Sequence, residues 1–105
     1  MLNPLRWLPG KDIDEFSRAL AHDLAARYSL AMANAAPGKK SEKKLGRALS
    51  HVYARAREFR AARRLGVYGT ARLGNSFKWE LKEMGYRPAF IEEVTKGLIL
   101  NVRGR

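Results

Sequence analysis

Runs of apolar residues recur along this chain at helical spacing, and each run is closed by glycine or proline. That punctuation constrains the fold more than any other feature. Ile13, Phe16, Leu20, Leu24 and Tyr28 step by threes and fours and predict a helix over 13–32. Asp12 is its N-cap candidate, Glu15 completes a capping-box pattern, and Asp14 suits the helix dipole. Pro37-Gly38 prevents continuation. Ser41 is the N-cap candidate of a second helix, over 41–65, whose stripe is Leu45, Leu49, Val52, Ala56 and Phe59. Gly66 follows, where a left-handed residue is expected. Val67, Thr70, Ala71, Leu73, Gly74, Phe77, Leu81 and Met84 share one arc of a third helix over 67–84. Gly85 ends it, with Tyr86 placed for the contact that accompanies a glycine cap. Gly74, on the apolar arc, suits a close helix approach, whereas Gly69 lies off the arc. Pro88 opens a fourth helix over 88–101, with Phe90, Ile91, Val94 and Leu98 inward. No segment alternates with period two, so no sheet is expected. The fold class is therefore all-α, a compact, bundle-like array of about four helices. One domain spans 1–105, with 1–10 an irregular N-terminal arm and 102–105 a frayed tail.

A chain of 105 residues has room for one such domain and buries a core without staples. It has no cysteine, which excludes disulfides, thiolate catalysis and cysteine-based zinc sites. The start, MLNPLRWLPGK, has two prolines and no long apolar run and does not read as a signal peptide. No segment approaches the ~20 apolar residues that span a bilayer. The expectation is a soluble cytoplasmic protein with no membrane partner; the oligomeric state is not legible.

Function is announced by charge. Lysine plus arginine number 21 against 10 acids, a net +11. Residues 39–64 hold ten of those cations and only Glu42 and Glu58 as acids, so this quarter of the chain carries +8. On a helical wheel, Lys44, Arg47, His51 and Arg55 flank one side of the apolar stripe. Arg57, Arg60 and Arg64 flank the other with Tyr53, and Arg63 projects near the stripe itself. Stems of basic residues can cover apolar surface while their heads stay wet. Solvation alone does not explain the sign, because glutamates would serve a helix as well. The excess points to an anionic partner, most plausibly nucleic acid. Lys39, Lys40, Lys43, Lys44, Arg47, Arg55, Arg57, Arg60 and Arg64 are the expected phosphate contacts. The alternative is a protein-interaction module that recognises an acidic partner surface.

A second line runs along the third helix: Tyr68, Arg72, Asn75, Trp79 and Lys82, opposite the apolar arc. It offers stacking or a protein-binding hot spot. Otherwise it is covered by the fourth helix or by Leu5, Trp7 and Leu8.

Residues 62–67, ARRLGV, are similar to the first half of the helix-turn-helix signature, with Ala62, Leu65, Gly66 and Val67 matching. Arg72 and Asn75 or Ser76 depart from its second half, which needs apolar residues. If the resemblance held, Tyr68, Thr70 and Arg72 would lie near the groove. The GVYG run at 66–69 lacks the strands of a KH domain, and PGKKS at 37–41 lacks the strand and first glycine of a phosphate loop. No catalytic constellation emerges. His22 and His51 have no ligand partner at helical spacing, Glu80, Glu83, Glu92 and Glu93 read as surface charges, and Ser17, Ser50 and Ser76 have no base nearby in sequence. A non-enzymatic module with no cofactor or metal is expected.

Overall fold

A computed structural model of the chain describes residues 10–103. These fold into α1 (Lys11–Arg27), α2 (Leu30–Asn34), α3 (Lys39–Arg63), α4 (Val67–Met84) and α5 (Pro88–Arg103), with no strand among the described residues. The fold is an all-α bundle.

The four long helices pack as a ring. α1 lies against α3 and α4, and α5 lies against the same two. Side-chain pairs give the directions. Arg63 meets Asp12 and Arg55 meets Asp23, so α3 runs antiparallel to α1. Tyr53 reaches Val94 and Arg57 reaches Asn101, so α5 runs with α3. Ser17 meets Leu73 while Tyr28 meets Tyr86, so α4 runs with α1. The short link from Arg64 to Gly66 therefore joins helices on a diagonal of the ring rather than neighbours.

Leu20, Leu24, Val52, Leu73, Phe77, Leu81, Val94 and Leu98 are fully buried at the centre. Each came from a predicted apolar stripe. Gly74 meets α5 closely: a Cβ there would come within 2.7 Å of Ile99 Cδ1. Gly85 ends α4 at φ 98°, a conformation that costs glycine nothing. The amide of Tyr86 then bonds the Leu81 carbonyl, and the Tyr86 ring is buried.

Several boundaries differ from the sequence reading. The helix predicted over 13–32 is two helices. Tyr28 leaves helical geometry, and the Ser29 side chain accepts from the Met32 amide to start α2 afresh. Asp12 is not the N-cap of α1; Gly10 is, and Asp12 lies in the first turn. Ser41 lies inside α3, which is capped by Gly38. Gly66 is extended and caps α4, while Arg64 takes the left-handed position at φ 53°. Val67 and Ala71 are exposed, and Gly69 is buried in their place. The buried arc of α4 centres on Phe77, which leaves Val67 and Ala71 beyond its edge. α5 continues to Arg103 with Val102 buried. The helix-turn-helix similarity ends at the turn, because α3 and α4 do not lie side by side. The arm at residues 1–9 lies outside the described residues.

Candidate functional site

The cations of α3 divide into two populations, and the neighbours of α3 decide which is which. Its C-terminal half is occupied with holding the bundle together. Phe16 of α1 and Phe59 of α3 stack with centroids 4.0 Å apart and planes 2° from parallel. The Arg55 guanidinium lies 5.6 Å from the Phe16 centroid, and that of Arg63 lies 5.2 Å from the Phe59 centroid. Two guanidinium groups thus flank a pair of rings along the α1–α3 seam. Each is also paired with an acid of α1: Arg55 with Asp23 at 2.6 Å and Arg63 with Asp12 at 2.5 Å. Arg57 donates to the Asn101 side chain on α5. Arg60 is half-buried, with no hydrogen-bond partner for its Nε among the described residues. Arg64 is exposed at the turn.

The N-terminal half is different. Lys39, Lys40, Lys43, Lys44 and Arg47 are all exposed, with no carboxylate among the described residues within ion-pair distance. Lys40, Lys43, Lys44 and Arg47 recur at intervals of three and four and share one face. That face forms one wall of a groove of about 900 Å³. Ala26 and Arg27 of α1, then Met32 and Ala35 around α2, form the rest, with Ser41 and Ala48 at the base of α3. No acid lines it.

The break in the first predicted helix builds this groove. Tyr28 ends α1, and its hydroxyl shares a 2.8 Å hydrogen bond with the Ser41 hydroxyl. The Tyr86 hydroxyl donates to the Tyr28 carbonyl at 2.7 Å. Phe90 stacks on both tyrosine rings, and Arg87 donates to the Ala33 carbonyl. α2 is thereby turned aside from the α1 axis to form the opposite wall. Burial pushes the Tyr86 phenol above its ordinary range, with a smaller contribution from Tyr28, so it stays a donor.

Asp23 bounds the cationic stripe. It accepts from Arg27 at 2.8 Å and from Arg55, with His51 Nε2 at 3.2 Å. Burial opposes its ionisation, but the hydrogen bonds from Arg27 and Arg55 outweigh it and hold the carboxyl below the usual range. Arg27 is therefore partly neutralised where it lines the groove. Arg27 and α2 were absent from the sequence-based site. The Ser29 capping signal could have revealed the break, but the apolar spacing runs through Tyr28 and hid it.

The outer face of α4 is as exposed as its wheel position implies: Tyr68 is 63% and Trp79 57% accessible. α5 does not cover them, and Leu5, Trp7 and Leu8 lie outside the described residues. Arg72, however, is committed to α1. Its Nε and Nη2 grip both oxygens of Asp14 at 3.0 and 2.8 Å, and Nη1 donates to the Tyr68 hydroxyl. The hydrogen bond from Arg72, supported by one from Ser76, holds the Asp14 carboxyl below its ordinary range and raises the guanidinium in turn. Asn75 and Lys82 are exposed, with the Lys82 ammonium 5.4 Å from the Trp79 centroid. A recess of about 430 Å³ beside Trp79 is lined by Asp14, Arg18, Arg72 and Glu80. Its charges cancel: Arg72 pairs with Asp14, and Arg18 lies 3.5 Å from Glu80.

Ser17, Ser76, His22 and His51, considered for catalysis, have structural partners. Ser17 is buried and donates to the Ile13 and Leu73 carbonyls. Ser76 donates to Asp14, and His22 lies 3.8 Å from Glu80. Among the described residues no group of His, Cys, Asp and Glu is arranged to hold a metal, and no helix is long and apolar enough to cross a membrane. No family model, curated protein or solved structure matches the chain.

Proposed function

We propose that the protein is a non-enzymatic module that binds nucleic acid through phosphate contacts in the groove between α2 and the N-terminal half of α3. The observation that supports this reading is the unpaired set Lys40, Lys43, Lys44 and Arg47 on one wall, with no acid facing them. Elsewhere in the bundle, Arg55, Arg63 and Arg72 at the helix seams are paired with carboxylates of α1. The four cations of the groove are not, and together they make a local positive field that a polyanion neutralises. Lys39 adds charge at the mouth of α3, where the helix dipole has the same sign. Arg55, Arg57, Arg60 and Arg64, expected as contacts from the sequence, are assigned no direct role.

A contact of four phosphates gives a salt slope of roughly −3.6 for a duplex, so affinity falls about 10²-fold between 50 and 200 mM salt. Titration of labelled duplex DNA, single-stranded DNA and RNA at both salt concentrations tests this. Changing Lys40, Lys43, Lys44 and Arg47 together to serine should remove most of the slope and leave the protein folded, with a loss of no more than about 2 kcal/mol. Absence of binding to all three at low salt would sink the proposal.

The apolar floor of Ala26, Met32, Ala35 and Ala48 favours a second reading. An acidic amphipathic helix could set its apolar face there and its carboxylates on the rim. Its mark would be binding that survives high salt.

A further inference from the structure

We infer that the groove takes the sugar-phosphate backbone of a double helix in preference to an unpaired strand. This rests on the phosphate-binding reading above and narrows it to one ligand class.

Binding of single strands without sequence preference depends on bases stacking on aromatic side chains beside a basic track. The groove has the track but lacks the platform. Its floor is Ala26, Met32, Ala35 and Ala48, and among the described residues no ring lines it. Rings are available elsewhere, since Tyr68 and Trp79 are both well exposed on α4. But α4 stands diagonally across the ring from α3, and its aromatic line faces away from the bundle. Neither Tyr68 nor Trp79 lines the groove that carries the cations. The cationic surface and the stacking surface are separate.

The geometry of the cations favours a stiff ligand as well. Lys40, Lys43, Lys44 and Arg47 project from about two turns of one helix, some 10 Å long. Their attachment points are fixed relative to one another. A duplex presents phosphates at an equally fixed spacing and at high density, about one charge per 1.7 Å of axis. A flexible strand must first be ordered along the wall, with no stacking to offset the lost freedom.

The difference can be sized. Counterion release per contacted phosphate is about 0.9 for duplex DNA and 0.7 for a single strand. For four contacts and equal affinity extrapolated to 1 M salt, that difference is worth about tenfold at 50 mM salt.

Fluorescence anisotropy with a labelled mixed-sequence DNA duplex and each of its separated strands tests the inference. The duplex should bind about tenfold more tightly at 50 mM salt. A single strand that binds as tightly or more so overturns the preference while leaving phosphate binding intact. If neither binds, the phosphate reading itself is lost, and this inference with it. A second readout addresses the separation of surfaces. In a Trp7→Phe variant, Trp79 is the sole tryptophan, and its emission should not move when saturating duplex is added. Quenching or a spectral shift would bring the α4 face into the site and overturn the argument. Trp79→Ala should bind duplex with unchanged affinity.

Discussion

Thr95 is buried on the inner side of α5, and its hydroxyl has no hydrogen-bond partner among the described residues. Stranding a hydroxyl costs its desolvation with nothing returned. Thr95→Val keeps the shape and removes the polar atom, so it should stabilise the bundle by about 1 kcal/mol, read from the urea midpoint. Gly74 makes the opposite point. Glycine inside a helix costs about 1 kcal/mol relative to alanine, so Gly74→Ala would gain if space allowed. Space does not allow it, because Cδ1 and Cγ1 of Ile99 lie 2.7 and 2.9 Å from the new methyl. Overpacking of this kind costs about 1–3 kcal/mol, which outweighs the propensity gain. Gly74→Ala should therefore lower the midpoint, and adding Ile99→Val should recover part of the loss. A double-mutant cycle with no recovery would show that Ile99 is not the obstacle.

At the scale of elements, the cations of α3 fall into two groups, one paired across the bundle seams and one exposed. The sequence made the length of α3, its core stripe and its surplus of cations legible, because these follow from spacing and composition. The division of the cations was not legible. A wheel shows that Arg55 and Arg47 leave the same flank, but not that Asp23 waits beside one and nothing waits beside the other. The acids that decide the matter, Asp12 and Asp23, sit more than two dozen residues upstream on α1. The groove was hidden for a related reason. Helical spacing continues through Tyr28 and masks the Ser29 capping signal, while the tertiary grip of Tyr86 on the Tyr28 carbonyl holds the break in place. The division predicts a contrast in stability. Lys43→Ser or Arg47→Ser should change it by no more than about 0.5 kcal/mol, as exposed substitutions do. Arg55→Ala removes the contact with Phe16 and leaves Asp23 short of a donor, and should cost about 1–2 kcal/mol. Thermal melts of the three variants compare them directly.

For the whole molecule, the carboxylates of α1 make stability depend on pH. Asp14 and Asp23 both have depressed folded-state values, through Arg72 and through Arg27 and Arg55 respectively. The unfolded chain then binds more protons than the folded one as pH falls, so folding stability rises with pH in that range. Their contribution is complete above the ordinary aspartate value of about 3.9 and drains away as pH falls from there through the lower folded values. Tyr53 acts in the opposite sense: burial, aided by Glu93, pushes its phenol up to about 12. Its contribution is present below about pH 10 and lost as pH rises toward 12. Chemical denaturation across pH should give a plateau that falls at both ends. Asp23→Asn should be less stable than the parent at neutral pH and should flatten the acid limb; an unchanged limb would place the titrating group elsewhere.

The hydrogen bonds from Tyr28, Tyr86 and Arg87 tie the walls of the groove to one another and to the bundle. For the polyanion proposed above, long-range attraction would then govern how often encounters succeed. Arrival should then be fast and strongly slowed by added electrolyte, with departure much less affected.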